Sequence, residues 1–273
     1  MSYAGVNGIS LYYEEHGSAG SGEPLILLHG GLGSGEMYAP ILPSLTEGRP
    51  VITIDLQAHG HTADVDRPLR FETLADDIAG LIDHVGLAQA DVMGYSFGAG
   101  AALRTAIQHP ALVRRLVVVS EPCKRDGWFA ESLAGMDRMG PQLAEMLMQS
   151  PMYEIYARVA PRVQDWPVLL AKTGELLRQD FDWSAEVGKI TAQVMLVFGD
   201  ADAVRPAHMV EFYGLLGGGL RDANWDGSAR SAARLAILPG HSHYDIFYSA
   251  DLTAAVIPFL DEPSLEPPAQ YGQ

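Results

Sequence analysis

The stretch Asp91-Val92-Met93-Gly94-Tyr95-Ser96-Phe97-Gly98-Ala99-Gly100 reads as a strand running straight into a helix. Asp91–Tyr95 is a short apolar run, and Phe97–Gln108 is a small-residue helix stopped before Pro110. Gly94 to Gly98 fits G-x-S-x-G, the nucleophile elbow, in which a serine stands on a sharp turn between strand and helix. The turn is so tight that the positions two before and two after the serine must be small. Gly94 and Gly98 satisfy this, and Gly100 lets the helix lie close to the sheet. Ser96 is therefore expected in a strained backbone geometry with its hydroxyl exposed, above a helix N-terminus that favours negative charge. Five matching residues alone are a weak signal; the strand before and the helix after give the match its weight.

The same alternation extends outward in both directions. Leu25–His29 and Val51–Asp55 before the elbow, and Leu116–Ser120, Val194–Phe198 and Arg234–Leu238 after it, are short buried-strand runs. Phe71–Val85 places Leu74, Ile78, Leu81, Ile82 and Val85 at helical spacing, with Gly86 as C-cap. Ser2–Val6 and Ile9–Glu15 flank Asn7-Gly8, a strong hairpin signal. A helix from about Ile246 to Leu260 closes the pattern. Strands alternating with helices predict an α/β fold, a parallel sheet covered on both faces. The rhythm breaks over Glu121–Lys189, which holds irregular helical stretches, Trp128, Trp166 and Trp183. Five of the ten methionines also lie there: Met136, Met139, Met146, Met148 and Met152. Residues 1–120 and 190–262 are thus read as one core, 121–189 as a helical cap inserted into it, and 263–273 as a flexible tail. Gly217–Arg230 reads as a long surface loop.

A chain of 273 residues fits one large α/β domain with an insertion. With 18 Lys and Arg against 34 Asp and Glu, its net charge of −16 repels phosphate backbones and anionic membranes. Neither nucleic acid nor membrane is expected as a partner. No uncharged apolar run reaches about 18 residues, the length of a spanning helix. The start of the chain lacks the pattern of a signal peptide, so a cytoplasmic protein is expected. The single cysteine, Cys123, excludes an intrachain disulfide and a Cys-rich metal site.

A serine hydroxyl needs a base to act as a nucleophile at neutral pH. In chains built round this elbow the partners follow in the order serine, acid, histidine. Pro239-Gly240-His241-Ser242-His243 offers two bases after the last strand; His243, just ahead of the closing helix, is the better placed, and His241 is the alternative. Phe198-Gly199-Asp200-Ala201-Asp202 offers two acids. Asp200 suits the turn, bonding backbone N–H groups, and Asp202 is free to orient the histidine. Glu121, directly after a strand, is the rival acid. The oxyanion needs preorganised donors. The backbone N–H of Phe97 is one; Gly31 in His29-Gly30-Gly31-Leu32 is the second, with Leu32 as fallback. His29 is read as a brace for that loop. His59-Gly60-His61 and His241-Ser242-His243 share the H-x-H spacing of some metal sites. No close Asp-His pair follows His61, and neither pair is assigned a metal. The Met and Trp content of the cap suits an adaptable apolar pocket. Cys123 is given no role.

Together these motifs resemble the α/β-hydrolase superfamily. The resemblance rests on His29-Gly30-Gly31, Asp55 to Gly60, Gly94 to Gly98, Asp202 and His243, and covers nearly the whole chain. It implies an α/β-hydrolase fold of eight mostly parallel strands with helices on both faces. It also implies a helical cap after strand six, a Ser-His-Asp triad and no cofactor. Dehalogenases and soluble epoxide hydrolases of this fold have Asp at the elbow, where this chain has Ser96. His61 stands where relatives often carry a small or basic residue and is a candidate to face the pocket. The leading expectation is a serine hydrolase of carboxylic esters, small or lactone-like, whose partner is a small-molecule ester. The alternatives are a cofactor-free perhydrolase, an amidase or a carbon–carbon bond hydrolase on the same triad, or a non-catalytic ligand-binding protein. Assembly into a homo-oligomer is left open.

Overall fold

Asn7 and Gly8 both take positive φ, 46° and 80°, as a two-residue hairpin turn requires. They join β1 (Ser2–Val6) to β2 (Ile9–His16) in antiparallel register, in a computed structural model that describes residues 2–18, 20 and 22–262. The tail 263–273 lies outside the described residues. Six further strands follow: β3 (Leu25–Leu28), β4 (Val51–Asp55), β5 (Ala90–Tyr95), β6 (Val113–Val119), β7 (Gln193–Ala201) and β8 (Arg234–Ser242). The sheet order is β1-β2-β4-β3-β5-β6-β7-β8. β2 meets β4 antiparallel, and every pair from β4 to β8 is parallel.

The central strands β3 to β7 bury both faces, which is why they read as continuous apolar runs. Ile26 and Leu28 point to one core with α2 (Phe71–His84) and α3 (Phe97–Gln108). Leu25 and Leu27 point to the other, with Leu45 of α1 (Leu42–Thr46) and with Val256 and Phe259 of α10 (Ala250–Asp261). Gly86, at φ 75°, ends α2 as its spacing predicts, bonding Asp83 while Leu87 bonds Ile82.

Between β6 and β7 run α4 (Ala130–Arg138), α5 (Ala144–Leu147), α6 (Pro151–Val159), α7 (Trp166–Leu177) and α8 (Ser184–Val187); α9 (Pro206–Leu215) follows β7. Tyr156, Trp166, Leu169 and Leu170 of α6 and α7 pack on Leu32 and Ala58, in the loops after β3 and β4. Lys172 adds an ion pair to Asp64 at 2.7 Å. The helical segment is thereby held over the C-terminal ends of the parallel strands. No helix among the described residues is long and apolar enough to cross a membrane.

Two expectations need correction. β8 does not stop at Leu238 but runs to Ser242, through Pro239 and Gly240. Proline is tolerated there because β8 is an edge strand, with one side of its backbone unpaired. The closing helix is not continuous from Ile246. A single 3₁₀ turn, Ile246–Tyr248, precedes Ser249, whose hydroxyl accepts from the Asp251 N–H at 3.0 Å and caps α10.

Candidate active site

The elbow has the strain its glycines foretell. Ser96 sits at φ 50°, ψ −124°, between β5 and α3. A Cβ on Gly94 would lie 2.2 Å from the Gly98 carbonyl oxygen, and one on Gly98 would lie 2.3 Å from that of Leu28. Only hydrogen fits at either position. The Ser96 N–H is tied to the Val119 carbonyl at 2.9 Å, so the turn is anchored to the next strand.

His243 stands one residue past β8, with Nε2 3.2 Å from Ser96 Oγ and Nδ1 3.2 Å from Asp202 Oδ1. Its carbonyl accepts from the Tyr95 hydroxyl at 2.5 Å, and its ring meets Trp128 edge-on with centroids 5.4 Å apart. The loop and the ring are both held. His241 lies elsewhere, bonded to Asp251 and Ser249 at the start of α10.

Asp202 is buried just after β7. Oδ1 accepts from the Val204 N–H at 3.2 Å, and Oδ2 accepts from the Gly199 N–H at 3.1 Å and the Ser120 hydroxyl at 2.5 Å. Burial pushes its pKa up. The hydrogen bond and charge of His243 and the bonds from Ser120 and Gly199 outweigh that, and the carboxyl stays below its ordinary range. Asp200 instead accepts the Gly240 N–H at 2.9 Å, stitching the irregular end of β8. Glu121 does not reach His243; it is buried, lines the cavity and lacks any hydrogen bond among the described residues.

The residue that sequence reasoning missed is Ser120, read only as a strand end. At φ 55° it turns its hydroxyl towards Asp202. The signal was its place at the C-terminal end of β6, beside the strand that carries the acid.

A Cβ on Gly31 would lie 3.6 Å from Phe97 Cβ, so these two residues abut. Neither their N–H groups nor that of Leu32 finds an acceptor among the described residues. His29 braces this loop as expected: Nδ1–H donates to the Gly30 carbonyl at 2.8 Å and Nε2 accepts the Leu56 N–H at 3.0 Å. Burial lowers its pKa and that of His59, the latter to about 3, so both rings are neutral.

His61 does not face the cavity. It stacks on Tyr12 at 4.0 Å and bonds Asp55 at 2.8 Å, on the far side of the loop after β4. Gly60, at φ 51°, turns it that way. Cys123 is buried against His208 and its thiol is pushed up to about 12 by burial, so it is no nucleophile. The described residues contain no cluster of three or more His, Cys, Asp or Glu that could hold a metal.

Ser96 and His243 open into a cavity of about 510 Å³ with strongly apolar walls. Met136, Met139 and Met152 line it from the helical segment, Met152 from a solvent-exposed position, whereas Met146 and Met148 are exposed and do not line it. Composition counted five methionines in this segment; only the fold shows which face the pocket.

This elbow, sheet order and helical segment define a hydrolase architecture. Residues 23–215 match the family model of the alpha/beta hydrolase fold; the chain belongs to that family and is an enzyme of the alpha/beta hydrolase type. A protein named "putative carbamate hydrolase RutD" from Caulobacter vibrioides is 31% identical over 216 residues, 72% of this chain and 79% of that protein. The 2-hydroxymuconate semialdehyde hydrolase of Pseudomonas sp. is 35% identical over 105 residues, 37% of each chain. The enol-lactonase from Burkholderia xenovorans LB400 superposes with a TM-score of 0.70 at 24% identity, over 95% of this chain and 100% of that one.

Proposed function

We propose that the chain hydrolyses carboxylic esters, small or lactone-like, through a covalent acyl-enzyme on Ser96, His243 and Asp202. The observation that carries this is the 3.2 Å and 3.2 Å relay from Ser96 Oγ through His243 to Asp202, opening into an apolar cavity. Ser96 Oγ adds to the ester carbonyl while His243 Nε2 takes the hydroxyl proton. Asp202 fixes Nδ1–H and stabilises the imidazolium. The N–H groups of Phe97 and Gly31 receive the oxyanion. The tetrahedral adduct collapses, His243 returns the proton to the leaving oxygen, and the alcohol departs. Water then adds to the acyl carbon with His243 as base, and the free acid leaves Ser96. The scheme uses protein groups alone. The carbamate hydrolase relative supports it in kind only, since its name is also that of a hydrolase.

The test combines turnover with labelling. Short-chain nitrophenyl esters should release nitrophenol, and a fluorophosphonate should leave one adduct, on Ser96, by peptide mass spectrometry. An adduct on another residue, or no turnover of any ester, overturns the proposal. Peroxide and a halide-oxidation dye in a parallel assay read out perhydrolysis.

A further inference from the structure

The reaction scheme leaves Glu121 unused. This residue is only 4% exposed, yet it lines the same cavity as Ser96 and His243. Its carboxyl has neither a hydrogen-bond partner nor an ion pair among the described residues. Arg125, also on the cavity wall, is committed elsewhere: to Asp137 at 2.6 Å and to the Leu177 carbonyl at 3.2 Å. Burial, then the negative charge of Asp202, raises the Glu121 pKa well above its ordinary value and so favours its protonated, O–H-donating form. A second polar group, more deeply enclosed, stands on the same wall. Thr173 Oγ1, on α7, is buried without a partner and belongs to the wall of the same cavity. Leaving a buried polar group unbonded is costly, and apolar neighbours cannot satisfy it. A ligand can.

We propose that Glu121 and Thr173 determine specificity, and that the substrate carries, besides its scissile ester, a neutral oxygen function such as a ketone or hydroxyl that takes up their hydrogen bonds. The inference rests on the ester-hydrolase reading and narrows it to oxo- or hydroxy-substituted esters. A neutral group is favoured over an anion because Asp202 already places a negative charge beside Glu121. A site built around a substrate hydrogen bond discriminates against analogues that lack it, because its own polar groups are then left unpaired.

The test compares nitrophenyl pentanoate with nitrophenyl 4-oxopentanoate, and the hexanoate with the 5-oxohexanoate. The readout is the oxo-to-plain ratio of kcat/KM, corrected for the uncatalysed rates. In at least one pair the wild-type ratio should be roughly tenfold or more, the scale of one buried hydrogen bond. Glu121→Leu should erase that preference, Glu121→Gln should keep it because the amide still donates, and Thr173→Val should reduce it. A wild-type ratio near one in both pairs, or an equal ratio in wild type and Glu121→Leu, overturns the inference. So does a preference for an ammonium-bearing ester over the oxo ester. If wild type turns over no ester of either pair, the ester reading fails on its own. The same comparison is then made by calorimetric binding of methyl pentanoate and methyl 4-oxopentanoate to Ser96→Ala, with and without Glu121→Leu. Tighter binding of the oxo ester that vanishes with Glu121→Leu sustains the inference; equal binding overturns it.

Discussion

Ser120 Oγ donates a 2.5 Å hydrogen bond to Oδ2 of Asp202, across two neighbouring parallel strands and 82 residues of chain. The bond fixes the carboxylate on the side away from His243, leaving Oδ1 to face the ring. The backbone bears a cost for it, since Ser120 sits at a positive φ that residues other than glycine seldom adopt.

Ser120→Ala should therefore lower kcat about tenfold and destabilise the fold by roughly 1.5–3 kcal/mol, the range for a hydrogen bond to a charged group. Ser120→Gly should recover part of the stability by relieving the strained φ, but none of the kcat. Urea denaturation and ester kinetics on the two variants separate backbone from hydroxyl. Equal kcat in Ser120→Ala and wild type would remove Ser120 from any positioning role.

The two candidate acids make opposite predictions. Asp202→Asn keeps the shape but presents the wrong partner to Nδ1, and should cost about four orders of magnitude in kcat. Glu121→Gln should leave kcat on a plain ester within about threefold, since Glu121 has no bond to His243. A crippled Glu121→Gln beside a nearly normal Asp202→Asn would move the acid from β7 to β6.

What was readable from sequence follows physical reach. The elbow was legible because its motif is contiguous and the exclusion at Gly94, by the Gly98 carbonyl, lies inside it, even though Gly98 itself is crowded by Leu28 and His29 at the end of β3. His243 and Asp202 could be nominated because each directly follows a strand whose end faces the elbow. Ser120 was not legible: its partner is set by the β6–β7 register, Val119 opposite Val197, which no local pattern encodes. β8 was cut short because Pro239 reads as a stop, and only its edge position makes it harmless. His61 was drawn towards the pocket by comparison with relatives, while its orientation is fixed by Asp55, six residues earlier, and by Tyr12 on a different strand.

The pair of His61 and Asp55 gives the fold a pH signature. The bond to Asp55 raises the His61 pKa against the effect of its partial burial, with Glu36 and Glu14 adding smaller negative charge. A raised folded pKa means that His61 contributes stability fully below the unfolded value, near 6.5, and loses it as pH rises through the folded pKa. Asp55 works in the other direction. Burial raises its pKa, but the bonds from His61 and Gly35 bring the net value below normal. Its contribution is present above the unfolded carboxylate pKa and fades as pH falls through the folded one. The stability gap between wild type and His61→Phe, which can still stack on Tyr12, should thus be wider at about pH 5 than at about pH 9. A gap that does not change between those two pH values would show that the pair is not coupled to folding.

Two glycines in helices should respond oppositely to alanine, and the contrast tests the packing of the elbow itself. Gly98, in the first turn of α3, would direct its new Cβ to 2.3 Å from the Leu28 carbonyl oxygen and 2.4 Å from that of His29. Both obstacles are backbone at the end of β3, so neither can rotate away. Either α3 must lift from the sheet or the loop bearing Gly31 must shift. Gly98→Ala should then cost at least about 2 kcal/mol and depress turnover even where the chain still folds. Gly135, within α4, would meet nothing within 4 Å. There the substitution removes only unfolded-state freedom and should stabilise by about 0.5–1 kcal/mol. Chemical denaturation of both variants against wild type measures the pair directly. A Gly98→Ala chain as stable as wild type would mean that the strand–helix contact at the elbow is looser than 2.3 Å allows, and that the strain at Ser96 is not imposed by its neighbours.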